Sequence, residues 1–436
     1  MASSAARNSN NGNHDGRVYD IVVVGATGYT GKLTAEHIAQ FLPTNTKWAI
    51  AGRSTEKLDE LAVKVRKLSP DRVQPVTETV DLSDKTALAQ LVGKAKVCIS
   101  VVSYWHVGEK VVEACIESKT DYKLTAFTVG GSTGDIYGLK GWVDKYHERA
   151  VANGVTLIHA CAAFTAPHDL LTLLLVRELR NKASVQTRKV VVSVVDMPKK
   201  PSGGTIESIM HGATSSHDTA AELQNPWILS PVLAPPPDDD QTDIFGMCSE
   251  TGLGLLSDTS YSAVQDRHIV HRTWGLLQDG NRGYGSRFRY REYARAGSRI
   301  SGILKLLDAV LTSFILRFAL FRAFAKRFMF PAPGEGPDVE QSRLDGFAIE
   351  GVAVGEPTDG ADDQAVPRAY GRFAFHGGPY LLTAACLAQG AAVLLSGSRD
   401  DVATGHPGGL LTPAFLGRGL MERVCNVGGK VEVKML

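Results

Sequence analysis

The stretch Tyr19–Gly31 reads YDIVVVGATGYTG, an apolar β-branched run followed directly by glycines at every third position. The run Tyr19–Val24 is short and ends at a glycine, which predicts a buried parallel strand. Gly25 permits a tight turn out of this strand, Gly28 lets a phosphate approach the backbone, and Gly31 lets the next helix pack closely on the sheet. The N-terminus of that helix adds backbone N–H groups and a partial positive charge. The stretch therefore predicts a dinucleotide site formed by Gly25, Ala26, Thr27, Gly28, Tyr29, Thr30 and Gly31.

The end of the second predicted strand indicates which dinucleotide binds. Domains specific for NAD usually place an acidic residue there, which holds the ribose 2′-hydroxyl. This chain has Ala51-Gly52-Arg53-Ser54 instead, with Lys57 close behind. Arg53 can pair with a 2′-phosphate, and Ser54 and Lys57 can assist, so the sequence predicts NADP(H) as the cofactor. The alternative is that Arg53 is only a solvated surface cation.

Further cofactor contacts are predicted at the ends of the third and fourth strands. Asp81 follows the third strand and can approach the adenine, although a solvated helix cap explains it equally well. Val102 and Ser103 follow the fourth strand. In such folds the ligand lies beyond the carboxyl ends of the strands, so we assign both residues to the cofactor site.

Strands and helices alternate through the first third of the chain, which predicts right-handed βαβ units. We expect an α/β fold with an N-terminal Rossmann-type doubly wound parallel sheet and a second α+β domain. The predicted parts are a disordered tail (1–17), the Rossmann domain (18–185), an α+β substrate and dimerisation domain (186–375), and C-terminal helices that return to the Rossmann domain (376–436). Residues 154–160 are predicted to continue the first sheet. Residues 268–293 alternate between apolar and polar, which predicts antiparallel strands.

Composition restricts the kind of partner. The 47 Lys and Arg residues balance 46 Asp and Glu residues, and no long basic stripe is present, which argues against nucleic acid. No cysteine and histidine residues have the spacing of zinc ligands, so no metal site is predicted. The segment Met1–Gly16 lacks the apolar centre of a secretory signal, and we expect a cytoplasmic protein.

The segment 303–328 is apolar but is interrupted by charged residues, which are Lys305, Asp308, Arg317, Arg322, Lys326 and Arg327. Its longest uncharged piece, Ala309–Leu316, is far shorter than the roughly 20 residues that span a bilayer. A basic amphipathic helix can lie on a membrane or lipid droplet, or cover a hydrophobic substrate. The alternative is a helix packed in a core or a dimer interface. We expect a homodimer.

A series of motifs resembles the saccharopine dehydrogenase-like oxidoreductases, a family that includes the trans-acting enoyl reductases. The motifs follow in order as Val22–Lys57, Val111–Cys115, Asp144–His147, Ser202–Thr205, Asn225–Pro231, Pro333–Pro337 and Gly408–Ala414. The resemblance implies hydride transfer from NADPH to an activated C=C or C=N bond. It also implies a small or carrier-bound hydrophobic substrate, lipid-like or polyketide-like. A saccharopine-type imine or amino-acid oxidoreductase is the competing activity.

Three segments at predicted strand ends depart from the family pattern. They are Val102-Ser103-Tyr104, Thr125-Ala126-Phe127 and Ala162–Pro167, where relatives usually carry Gly-Pro-Tyr, Thr-Gly-Glu and Gly-Phe-Asp-Ser-Ile-Pro. A changed substrate, changed chemistry or lost catalysis can each explain the departures. A non-catalytic cofactor-binding protein at membranes or lipid droplets is therefore the alternative to an enzyme.

Few polar residues near these segments are candidates for catalysis. We name Tyr104, whose hydroxyl can bond a carbonyl oxygen, and His168, which begins a predicted helix. Asp169 can orient His168, and His106 is a further candidate. In the alternative interpretation Tyr104 and His106 are merely packed and His168 is a helix-start residue.

Overall fold

The computed structural model describes residues 16–102, 107–118, 125–126, 133–198, 200–212, 225–235, 242–278, 283–332, 334–357, 366–397 and 408–436. Most of the predicted tail, residues 1–15, lies outside the described residues. So do Ser103, Tyr104 and His106.

Five parallel strands form the first sheet, in the spatial order β3-β2-β1-β4-β5. The strands are β1 (Tyr19–Val24), β2 (Trp48–Gly52), β3 (Val76–Thr79), β4 (Ala95–Ser100) and β5 (Thr125–Ala126). The helices that alternate with and follow them are α1 (Tyr29–Phe41), α2 (Thr55–Leu68), α3 (Lys85–Gly93), α4 (Glu109–Glu117) and α5 (Thr133–Ala152). This strand order is that of a Rossmann-type sheet, and it places a topological switch point between β1 and β4.

The first sheet is covered on both faces. Ile21 and Val23 of β1 pack in one apolar cluster with α1 and α2, whereas Val22 and Val24 pack in another with α3, α4 and α5. Alternate side chains of a strand point to opposite faces, so an all-apolar strand must be buried on both sides. The predicted doubly wound sheet is therefore confirmed.

A second, seven-stranded sheet has the order β14-β12-β11-β7-β10-β9-β8. Its strands are β7 (Thr187–Asp196), β8 (Met247–Glu250), β9 (Gly254–Ser257), β10 (Arg289–Arg295), β11 (Gly346–Gly355), β12 (Arg368–His376) and β14 (Gly429–Met435). Only β7 and β10 pair in parallel, and the other neighbours are antiparallel. The remaining helices are α6 (Ala166–Ala183), α7 (Gly203–Gly212), α8 (Ala263–Leu276), α9 (Arg299–Ile315), α10 (Ala319–Phe328), α11 (Val339–Leu344), α12 (Pro379–Leu395) and α13 (Gly417–Cys425).

Two local predictions are wrong. The segment 268–293 is not a pair of antiparallel strands, because most of its first half is helix α8 and only its end is strand β10. Helix α8 is buried around almost its whole circumference and keeps polar side chains inside, so its sequence lacks the amphipathic period of a surface helix. The strand predicted over 154–160 is β6 (Thr156–Ile158), which pairs with β13 (Gly409–Leu411) rather than with the first sheet.

The end of the chain contacts both domains. Tyr380 and Ala384 of α12 pack against Leu33 of α1. Strand β14 then pairs with β12 at the edge of the second sheet. Among the described residues no helix is long and apolar enough to cross a membrane.

Candidate functional site

The glycine loop leaves β1 at the switch point. Gly25 has a backbone φ of +84°, a value that residues with a side chain rarely adopt. Its N–H donates to the carbonyl oxygen of Ala51 in β2 at 3.0 Å. A Cβ at Gly25 would lie only 2.9 Å from the Cγ1 of Val102. The loop is thus held between the ends of β2 and β4, at the edge where a Rossmann-type sheet binds its ligand.

Gly31 and Gly28 have different steric roles. A Cβ at Gly31 would lie 2.3 Å from the carbonyl oxygen of Gly25, so that only glycine fits there. At Gly28, in contrast, a Cβ would meet nothing nearer than the same carbonyl oxygen at 3.4 Å. Gly28 is the N-cap of α1, no side chain caps this helix end, and its first turn carries no acid. The open, uncapped backbone at Gly28 therefore fits an approaching phosphate.

Thr27 and Tyr29 of the glycine loop contact different neighbouring segments. A Cβ at Gly52 would lie 3.5 Å from the Oγ1 of Thr27, so the threonine covers the end of β2. The Tyr29 hydroxyl donates to the carbonyl oxygen of Pro337 at 2.6 Å, and its ring packs edge-on against Tyr380. The Tyr29 side chain therefore joins the loop to Pro337 and to helix α12.

Arg53 lies in the position expected for recognition of a 2′-phosphate. It is exposed directly after β2, and among the described residues neither a hydrogen bond nor an ion pair engages its guanidinium. The Ser54 hydroxyl accepts from the N–H of Lys57 at 3.3 Å and so caps α2. A backbone hydrogen bond from Ser83 lowers the pKa of Asp81, and the charge of Arg53 contributes to the same shift. Arg53 and Asp81 thus flank one end of the predicted site.

His168 and Asp169 begin α6 but do not form the predicted pair. Asp169 accepts from the Thr273 hydroxyl at 2.7 Å and from the N–H of Ala414 at 2.8 Å, and burial raises its pKa to about 7. The carboxylate that faces the Nδ1 of His168 is that of Asp266, at 3.5 Å. His168 is fully buried, so its catalytic assignment stays a prediction.

A buried arginine, which sequence reasoning did not single out, joins several of the family motifs. The Arg272 guanidinium donates to the carbonyl oxygens of Leu229 (2.7 Å) and Leu410 (2.6 Å) and lies 3.2 Å from the Nδ1 of His147. These acceptors belong to the motifs Asn225–Pro231, Gly408–Ala414 and Asp144–His147. Residues of these motifs therefore form hydrogen bonds that connect segments distant in sequence. An isolated arginine inside a helix gives no signal of this role.

Comparison with known families defines the class of this protein. A family model described as the saccharopine dehydrogenase NADP binding domain matches residues 21–158. Together with the glycine loop and the doubly wound sheet, this match defines an NADP-dependent oxidoreductase, and it confirms NADP(H) as the cofactor. The chain carries a saccharopine dehydrogenase-type NADP-binding domain, as its motifs predicted.

Relatives extend the similarity over nearly the whole chain. A trans-acting enoyl reductase from Mycobacterium leprae is 28% identical over 436 residues, which cover 95% of this chain and 97% of the relative. A Mycobacterium tuberculosis protein is 29% identical over 440 residues, 96% of this chain and 98% of its own, and its name gives the same activity provisionally. The apo saccharopine dehydrogenase (L-Glu forming) of Saccharomyces cerevisiae superposes with a TM-score of 0.53 at 12% identity, covering 96% of this chain and 100% of that chain. At that identity the structural likeness concerns the fold alone.

Proposed function

We propose that this protein reduces the activated C=C bond of an enoyl thioester, with NADPH as the reductant. The observation that carries the proposal is the similarity to the trans-acting enoyl reductases over nearly the whole chain, combined with the glycine cradle and the unengaged Arg53. Reduction of an enoyl thioester needs a hydride at the β-carbon and a proton at the α-carbon, which bound NADPH and an acid supply. The chain itself holds the pyrophosphate on the N-terminus of α1 and the 2′-phosphate at Arg53.

The strand-end segments bear on the choice between this reaction and its competitors. Phe164 is half-buried and stands where relatives usually carry Asp, whereas Ala162 and Ala163 beside it are buried. The replacement of this acid by an aromatic ring favours a hydrophobic substrate over an amino acid with charged carboxylates. Thr165 is the polar residue of the segment, and its hydroxyl already donates to Asp266 at 2.6 Å. A non-catalytic cofactor-binding protein would also lack polar groups at this place. Only a measured turnover therefore separates an enoyl reductase from such a protein.

The test follows the transferred hydrogen. The full-length protein is incubated with 2-enoyl thioesters of graded chain length and with NADPH deuterated on each face of C4 in turn. We expect NADPH oxidation and a saturated product with one deuterium at the β-carbon, detected by mass spectrometry. Tight NADPH binding without turnover of any thioester, α,β-unsaturated ketone or imine would overturn the proposal. It would favour a non-catalytic cofactor-binding protein.

We further propose that the segment Arg299–Phe328 docks on an anionic lipid surface. The segment forms two helices, α9 and α10, rather than one, and many of its larger apolar side chains face solvent. One stripe runs along α9 and ends at the N-cap of α10, with residues spaced by four and three. Its side chains are each more than half exposed and are Ile300, Leu304, Leu307, Leu311, Phe314 and Phe318. Leu320, Phe324 and Phe328 continue the apolar surface on α10. Packing in the core of this chain is thus excluded for these side chains.

Charge favours lipid over a second copy as the occupant of this surface. The segment carries six basic residues and one acidic residue, a formal excess of five positive charges (six minus one). Two copies docked through it would bring equal charges together, whereas anionic headgroups complement them. Membrane docking would also place the protein beside a hydrophobic, lipid-like substrate.

Flotation with vesicles tests the lipid proposal. We expect binding to phosphatidylserine-containing vesicles and weak binding to phosphatidylcholine alone. The double variant Leu307→Glu, Leu311→Glu should stay in the soluble fraction, whereas Val63→Glu, at an exposed apolar position of α2, should float normally. Failure to float together with a dimer that the double variant dissociates would replace the lipid proposal by a dimer interface.

A further inference from the structure

Three ionisable side chains from distant parts of the chain meet in the interior beside the second sheet. His168 lies in the first turn of α6, Asp266 in the first turn of α8, and Glu292 in β10. Their relative exposures are 0%, 0% and 4%. One potential ligand atom from each residue lies within 4.8 Å of the others. Helices and a strand of regular structure thus hold all three side chains.

The cluster has unsatisfied polar atoms that face inward. Both ring nitrogens of His168 and the Oδ2 of Asp266 are buried and make no hydrogen bond of ordinary geometry among the described residues. The His168 ring lies close to the backbone of Phe164, and the Asp266 carboxyl lies close to that of Glu292. With both carboxylates ionised the cluster carries two negative charges, and no lysine or arginine of the described part of the chain forms an ion pair with Asp266 or Glu292. Buried charge without compensation is strongly unfavourable, so the cluster requires cationic charge or protons.

The separations are longer than hydrogen bonds. The Nδ1 of His168 lies 3.5 Å from the Oδ2 of Asp266, and its Nε2 lies 3.8 Å from the Oε2 of Glu292. Hydrogen bonds of these types measure about 2.7–3.2 Å. Nitrogen and oxygen ligands at about 2.0–2.2 Å from one ion are themselves separated by roughly 3–4.4 Å. One ion bonds only one of the two ring nitrogens, so only one of these distances is a separation between two ligand atoms. One ligand atom from each of the three residues nevertheless lies within 4.8 Å of the others, and a small rotation of a side chain brings all three to one ion.

Hydroxyl groups hold the two carboxylates in place. Thr165 donates to the Oδ1 of Asp266 at 2.6 Å, which leaves Oδ2 facing the cluster. Glu292 accepts from three hydroxyls, those of Ser260 (2.5 Å), Ser262 (2.8 Å) and Tyr290 (3.1 Å). Outer groups of this kind orient metal ligands and are part of a metal site's design.

We propose that His168, Asp266 and Glu292 bind one divalent metal ion, with Zn²⁺ the best match to one imidazole and two carboxylate ligands. One ring nitrogen of His168 coordinates the ion, together with the Oδ2 of Asp266 and the Oε2 of Glu292. Because the cluster is closed to solvent, the ion is structural: it fastens α6 and α8 to the second sheet. The three ligands are 98 and 26 residues apart along the chain, which is why ligand spacing predicted no metal site.

Metal analysis of the intact protein tests the proposal. The full chain is purified without chelator or affinity tag, and its metal content is measured by inductively coupled plasma mass spectrometry. It is then stripped with a chelator and titrated with Zn²⁺. We expect close to one ion per chain, loss of this ion on stripping, and a rise in melting temperature when Zn²⁺ is returned. A stripped protein that neither binds Zn²⁺, Mn²⁺ or Co²⁺ in equilibrium dialysis nor changes its melting temperature overturns the proposal.

Near-isosteric variants locate the ion. Asp266→Asn and Glu292→Gln should abolish stoichiometric metal in the monodisperse, folded fraction. His37→Gln changes another buried histidine, on α1, and should retain the ion. Full metal content in both cluster variants would place the ion elsewhere and also contradict the proposal. Since metal content is measured without substrate, the result does not depend on whether the enoyl thioester is reduced.

Discussion

The hydroxyl of Tyr29, in the glycine loop, donates a hydrogen bond of 2.6 Å to the carbonyl oxygen of Pro337, which lies 308 residues further along the chain. The ring of Tyr29 also occupies the space beside Gly336, where a Cβ would lie 2.7 Å from its carbons. The cofactor loop and the segment before α11 are therefore built against each other. The motif predicted to bind nucleotide through its backbone thus uses this side chain to join distant segments.

Tyr29→Phe should separate these two roles. The variant keeps the ring and loses only the hydrogen bond, so we expect a loss of about 1 kcal/mol in unfolding free energy and an NADPH affinity close to that of the parent. Tyr29→Ala should cost more, because it also removes the ring from Gly336 and Tyr380. Chemical denaturation and fluorescence titration measure the two quantities. A large loss of NADPH affinity in Tyr29→Phe would instead place the hydroxyl in the cofactor site.

Gly31→Ala should disrupt the cradle. The new methyl group would lie 2.3 Å from the carbonyl oxygen of Gly25, so the loop has to move away from its phosphate-binding position. We expect NADPH affinity to fall by about 100-fold, which is about 2.7 kcal/mol. Gly141→Ala is the matched control, since it lies in α5 with nothing within 4 Å of the added carbon. Equal NADPH affinities for the two variants would contradict the assigned role of the loop.

Arg53→Ala should change cofactor preference rather than cofactor binding in general. Loss of the guanidinium removes the partner of the 2′-phosphate, so NADPH affinity should fall about tenfold or more, while NADH affinity should change little. Arg66→Ala, on the exposed surface of helix α2, which follows Arg53, serves as the control. Parallel losses for NADPH and NADH would mean that Arg53 does not read the 2′-phosphate.

Arg272→Met should destabilise the fold without touching the cofactor loop. The substitution leaves the carbonyl oxygens of Leu229 and Leu410 buried without their donor, which we expect to cost about 3 kcal/mol of unfolding free energy. Thermal and chemical unfolding measure the effect, and Arg66→Met gives the surface reference. An unfolding free energy equal to that of the parent would show that the hydrogen bonds of Arg272 contribute little to stability.

His37 should make stability depend on pH. Burial lowers the pKa of His37 to about 4, whereas an unfolded histidine titrates near 6.5. The unfolded chain therefore binds the proton more readily, and stability falls as pH decreases from about 6.5 towards about 4. Between pH 7 and pH 5 this histidine should account for about 2 kcal/mol of lost stability. His37→Gln should show a smaller loss over the same interval; an unchanged slope would assign the pH dependence to other groups.

The sequence alone determined the first domain. The apolar run Tyr19–Val24, the glycines that follow it and Arg53 are local signals, because a strand, a tight turn and a helix start are each specified by neighbouring residues. These signals predicted β1 and the class of cofactor, and the bounds of the strand agree with the structure. The family motifs added the oxidoreductase class.

Tertiary structure alone decided the state of helix α8 and the contacts between residues far apart in sequence. Helix α8 was mistaken for strands because, buried on all sides, it has no polar face to set the helical period. The partners of Arg272, the contact of Tyr29 with Pro337 and the meeting of His168 with Asp266 and Glu292 all join residues far apart in sequence. Such pairings leave no periodic signal, since each depends on how complete elements pack rather than on the residues beside them.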